Sequence, residues 1–190
     1  MDQVGSVRKG KRYERRVVQL LREFTGKNFR RTPGSGGFNK RHGQVVAKGT
    51  FAGDVVYEDP ESHKFLYVID AKNRKDISLS AMLTSPLTSK LIKYWATCCD
   101  DAKDNNKLPM VFFKPNTNDD WVIVMENDPI IRDIVVRMII KINDDEIPNP
   151  VLISWKEFEK KVKSEELFKS ELRTETGGLV KTLVEPSRQE

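Results

Sequence analysis

Residues 65–75 read FLYVIDAKNRK. Phe65 to Ile69 form an unbroken apolar run rich in aromatic and β-branched types, the pattern of a buried strand. Asp70, Ala71 and Lys72 follow at once. A carboxylate and an ammonium two residues apart point to the same face of a strand. Placing both at the end of a buried strand is costly unless something offsets their charges. The strand therefore predicts a site as well as a sheet.

The preceding segment supplies a partner. GDVVY at 53–57 reads as a strand, and EDPESH at 58–63 reads as the turn that joins it to FLYVIDAK. A hairpin register centred on Ser62 sets Asp54 opposite Asp70. Two carboxylates and Lys72 then converge at one end of a two-stranded ribbon. Close carboxylates repel, and a hard divalent cation such as Mg²⁺ or Mn²⁺ relieves the repulsion. Such an ion acidifies bound water and offsets charge on a phosphate oxygen, while Lys72 positions the water or neutralises the transition state. The plainer alternative is a solvated pair of strand-end charges.

Elsewhere the pattern is mixed α/β. Residues 9–24 read as an amphipathic helix with Tyr13, Val17, Leu20, Leu21 and Phe24 on one face, stopped at Thr25-Gly26. Glu14 sits at the edge of that stripe, where it is available as a further carboxylate. Asn28 to Arg31 and residues 44–48 read as short strands. Between them RTPGSGGFNKRHG, 31–43, is a glycine-rich loop whose amides suit phosphate, although it is no P-loop. A long helix is expected from Ser85 to Asp104, then strands PMVFF and DWVIVME. Asp128-Pro129 opens a helix by its capping and proline pattern, yet IVVRMIIKI also alternates like a strand. VLIS is strand-like. Ser154 and Glu157 form a capping-box pattern ahead of a short helix with Trp155, Phe158 and Val162 inward. The expected organisation is a core over 1–128, an elaboration packed on it over 129–164, and a polar tail over 165–190.

Composition narrows the function. The chain of 190 residues is 38% hydrophobic and 32% charged, which fits one domain with a core. No apolar run approaches the roughly 20 residues of a membrane span, and no apolar segment follows the basic start, so no membrane role or secretory signal is expected. Cys98 and Cys99 are the only cysteines and are adjacent. That excludes a disulfide framework or cysteine zinc site and favours an intracellular, cytoplasmic setting. The pair reads best as two small thiols on a helix, core-facing or half-buried. His42 and His63 form neither a metal pair nor a triad. Net charge is +5, but residues 1–48 hold 13 Lys/Arg against 3 Asp/Glu. A basic first quarter implies a polyanion partner.

Together these features resemble the PD-(D/E)XK nuclease superfamily. KGKRYERRVVQLL at 9–21, RTPGSGG at 31–37, Gly53-Asp54 and IDAKNRK at 69–75 are closest to archaeal-type Holliday junction resolvases. The resemblance covers about residues 8–125 and implies a restriction-endonuclease-like mixed sheet flanked by helices, with a C-terminal extension. It implies Glu14, Asp54 and Asp70 as metal acids, Lys72 as the catalytic lysine and Ser35 as an active-site residue of the loop. It implies Mg²⁺ or Mn²⁺ as cofactor, a homodimer, and cleavage of branched DNA to 5′-phosphate and 3′-hydroxyl ends. Expected phosphate contacts are Arg8, Lys9, Lys11, Arg12, Arg15, Arg16, Arg30, Arg31, Lys40, Arg41, Arg74 and Lys75. The chain departs from the family pattern at Asp70, usually Glu, at Gly53, usually Pro, in a long insert over 39–52, and beyond 128. The alternatives are a restriction-like or end-processing nuclease, or a DNA-binding module without catalysis.

Overall fold

A computed structural model of the chain describes residues 3–32, 52–59, 64–73, 77, 84–85, 89–115, 119–135, 137–142, 144 and 146–168. Its centre is strand β3 (Tyr67–Lys72). Five of its six residues are buried, and both faces of the sheet are covered there. Tyr67, Ile69 and Ala71 point into one apolar layer and Val68 into the other. The unbroken apolar run therefore reports a central strand rather than a half-exposed one.

The first layer belongs to α1 (Gln3–Thr25), which buries Tyr13, Val17, Leu20 and Leu21 against β3. Gly26 ends it in the left-handed region, with its amide bonded to the Arg22 carbonyl. The chain returns as β1 (Phe29–Arg31), which pairs antiparallel with β2 (Val55–Tyr57). β2 in turn pairs antiparallel with β3, with Val55 opposite Ile69. This is the register expected from the hairpin pattern. The expected strand over 44–48 lies outside the described residues.

The second layer is α2 (Lys90–Asp104), whose Leu91, Ile92, Trp95, Cys98 and Ala102 are buried. It starts later than the sequence pattern suggests. Ser89 is extended and its hydroxyl accepts from the Leu91 amide, which fixes the start there rather than at Ser85. α2 is the crossover between β3 and β4 (Leu108–Phe113), which lie parallel with Asp70 beside Val111. Antiparallel β5 (Trp121–Met125) follows.

The region after 128 does not form the helix that Asp128-Pro129 suggests. Asp128 caps only a 3-10 turn, Pro129–Ile131, and the segment then enters β6 (Met138–Ile139). Of the described residues in the β-branched run, Met138 and Ile139 are strand and none is helical, as crowding at χ1 favours. β7 (Pro150–Ser154) pairs with β5 and β6, giving the described sheet the order β1-β2-β3-β4-β5-β7-β6. Ser154 accepts from the Glu157 amide and opens α3 (Trp155–Lys161). Trp155 and Phe158 stack with ring centroids 5.5 Å apart and join the α1 layer, where Phe24 meets both rings edge-on. A second 3-10 turn, Ser164–Leu167, follows α3. Cys98 is buried and Cys99 half-buried on α2.

One glycine decides where the site sits. Gly53 has φ +83°, and a Cβ there would collide with the Ile69 carbonyl oxygen. The Asp54 amide donates to that same carbonyl at 2.7 Å while Val55 is the register partner of Ile69. Two residues of one strand thus address one of the next, the mark of a bulge. Gly53→Ala is expected to destabilise the protein by about 2 kcal/mol or more, from left-handed strain plus the clash. Urea unfolding checks this; a loss under about 0.5 kcal/mol would mean the bulge relaxes freely.

Candidate active site

The bulge turns the Asp54 side chain back onto β3. Its Oδ2 accepts from the Ala71 amide at 2.9 Å, so a side-chain oxygen takes the place of a ladder carbonyl. The same oxygen accepts from Lys72 Nζ at 3.0 Å. Lys72 Nζ also lies 2.9 Å from Asp70 Oδ2. One ammonium therefore joins two carboxylates, both on buried residues. Asp54, Asp70 and Lys72 converge at the end of β2 and β3.

The α2 side of the sheet encloses them. The Tyr94 ring lies over Lys72 Nζ, 5.5 Å from its centroid. Cys98 sits one turn further along, with its thiol against the Val68 carbonyl at 3.6 Å. Burial pushes Asp70 up to about 6, against the pull of Lys72 and with a further push from Asp54. Burial alone would lower Lys72, but Asp70 and Asp54 outweigh it and hold the ammonium above its ordinary value. Lys72 thus stays charged, and a single positive charge does not fully offset the buried pair.

The remaining predicted residues separate into groups. Glu14 is buried on α1 and bonds Arg31 Nε at 2.5 Å. α1 covers the sheet face opposite α2, and the described residues contain no group of three or more acidic, His or Cys side chains able to hold a metal. In this arrangement the Glu14 carboxylate accepts from Arg31 at the β1 side of the sheet. Arg30 pairs with Glu58 at 3.3 Å, so both β1 arginines have acidic partners within the chain. Lys11, Arg12, Arg15 and Arg16 are exposed along α1, and Lys9 is half-buried. Arg16 reaches Asp120 at 3.6 Å. Arg8 lies in α1. Ser35, Lys40, Arg41, Arg74 and Lys75 lie outside the described residues, as does the glycine-rich loop from 33 onward.

Two features were not apparent from sequence. Asp120, just before β5, reaches the same end of the sheet, where its charge and burial both raise the Tyr13 hydroxyl, burial most. Tyr94 reads from sequence as core or subunit contact. The signal that would have found it is the spacing Tyr94–Cys98–Asp101 along a crossover helix, which faces the side of β3 that bears Asp70.

The donor set suits a hard divalent cation. Asp54 and Asp70 offer buried oxygens, and burial first, with repulsion from Asp54 added, raises Asp70, a cost that a dication would offset.

A family profile described as "Phage putative PDDEXK endonuclease" matches residues 5–169. The chain belongs to this endonuclease family. Protein D14 of Escherichia phage T5 is 32% identical over 155 residues, covering 80% of this chain and 92% of that protein. No solved structure matches the chain. Membership places this endonuclease in the PD-(D/E)XK superfamily, and its α/β sheet fits a restriction-endonuclease-like core. No described helix is long and apolar enough to cross a membrane.

The raised Asp70 has a consequence for stability. Its folded-state value of about 6 exceeds the ordinary 3.8, so the folded form binds the proton more tightly. That contribution is full below about pH 4 and is lost as pH rises through 6. Asp70→Asn, a neutral isostere, should therefore raise Tm by a few degrees at pH 7.5 without divalent ions, and by much less at pH 4.5. Thermal unfolding in chelator at the two pH values tests this. A lower Tm for the variant at pH 7.5 would mean the Lys72 pairing more than offsets the burial of charge.

Proposed function

We propose that this endonuclease is a divalent-metal-dependent endodeoxyribonuclease specific for branched DNA, the four-way junction first. The observation that carries the reading is the buried Lys72 ammonium joining Asp54 and Asp70 at the end of the sheet. Asp54 and Asp70 would hold Mg²⁺ or Mn²⁺. When bound, the ion supplies an acidified water and counter-charge for the phosphate oxygen. Lys72 is held charged, so it serves as a cation for the growing phosphate charge rather than as a general base. The Asp54 carboxylate is fixed by the Ala71 amide, which orients it without cost at the moment of reaction.

The exposed face of α1 suits the DNA backbone. Lys11, Arg12 and Arg15 stand free of the sheet and supply sequence-independent phosphate contacts. Glu14 orients Arg31 toward the same end of the sheet and so acts through it. Preference for a junction, Ser35 as a loop residue and a homodimer with two sites for two symmetric cuts rest on the resemblance to junction resolvases. Support for the broader endonuclease reading is stronger, since the family description and the site chemistry agree.

Cleavage of a labelled four-way junction and of linear duplex, each with Mg²⁺ or Mn²⁺, tests the reading. Wild type should nick the junction, and Asp70→Ala should lower the rate by about 100-fold or more. Equal rates on duplex would remove the junction preference and leave an endonuclease. Binding without nicking in either metal would make the chain a DNA-binding module. Replacing Lys11, Arg12 and Arg15 by Gln should flatten log K against log salt by about 0.9 per lost contact. An unchanged slope would move the phosphate contacts to another surface.

A further inference from the structure

Lys72 raises a problem for the site just described, because it bridges one oxygen of each carboxylate that a divalent cation would share. Its Nζ is 3.0 Å from Asp54 Oδ2 and 2.9 Å from Asp70 Oδ2. Asp54 Oδ2 already accepts from the Ala71 amide as well. A dication shared by the two carboxylates therefore competes directly with the ammonium. Lys72 is three-quarters or more enclosed, with 21% of its side chain exposed, so release straight into water is restricted.

The third neighbour of Nζ resolves this. The Tyr94 ring centroid is 5.5 Å away, within the range in which an aromatic face attracts a cation. The ring is carried by a well-anchored helix. Next to it, Trp95 is fully buried and its Nε1 donates to the Pro148 carbonyl at 2.7 Å, and Cys98 packs on β3 one turn on. Tyr94 thus presents an uncharged ring face beside the ammonium, on a helix anchored at Trp95 and Cys98.

We propose that Tyr94 is a positioning residue whose ring face holds the Lys72 ammonium when a divalent cation takes the oxygens of Asp54 and Asp70. The inference rests on the reading of Asp54 and Asp70 as the metal pair. It assigns Tyr94 a role that acts through Lys72, lowering the cost of metal entry and keeping the ammonium close to the scissile phosphate.

Mn²⁺ binding to the full chain without DNA, followed by calorimetry or by the paramagnetic resonance of free Mn²⁺, tests this separately from catalysis. Tyr94→Leu, which removes the face, should weaken Mn²⁺ binding about threefold to tenfold. Tyr94→Phe keeps the face and should stay within about twofold of wild type. Lys72→Ala removes the competitor, so it should tighten Mn²⁺ binding while abolishing cleavage. In that background Tyr94→Leu should have no further effect, because the residue through which it acts is gone. Unchanged binding in Tyr94→Leu overturns the inference, as does failure of Phe to rescue or an equal loss in the Lys72→Ala background. If wild type itself binds no Mn²⁺, the metal-pair reading fails before any variant is compared, and the inference falls with it.

Discussion

The structure depends on one ammonium placed between two buried carboxylates. Without Lys72, Asp54 and Asp70 would meet with like charges in an enclosed setting, which costs several kcal/mol or forces one to take a proton. With it, the end of β3 tolerates both and stays charged. The balance is incomplete, since Asp70 is still pushed up to about 6. Burial is the main cause of that push, and a second cation beside the carboxylates would offset it.

The rest of the fold serves that arrangement. Gly53 permits the bulge, and the bulge turns Asp54 so that its side chain takes the Ala71 amide. The burial of β3 on both faces gives a rigid base, with α1 on one side and α2 on the other. α1 carries Lys11, Arg12 and Arg15 on its exposed side and Glu14 toward Arg31. The parallel crossover from β3 to β4 brings α2, and with it Tyr94, over the face that bears Asp70 and Lys72. The ends of β2 and β3 and the inner face of α2 thus meet around one triad.

Much of this was legible in the chain because the signals are local. The apolar run of β3, the hairpin register and the amphipathic face of α1 each follow from short-range periodicity. The pairing of Val55 with Ile69 matches the register read from the turn. Three features were not legible, for identifiable reasons. The start of α2 depends on Ser89 as cap, and helical spacing alone does not locate caps. The segment after Asp128 carries a good helix start ahead of β-branched residues, and pairing with β7 decides it. Tyr94 was ambiguous because the same spacing serves a core and a site.

The central claim is that Asp54 and Asp70 form a divalent-cation site. The most direct measurement is an anomalous difference map from crystals of the chain soaked in Mn²⁺. The account predicts a peak bound by both carboxylates, with Lys72 Nζ displaced from at least one of them. A map with Lys72 still joining the two carboxylates, and Mn²⁺ absent or bound elsewhere, would contradict it.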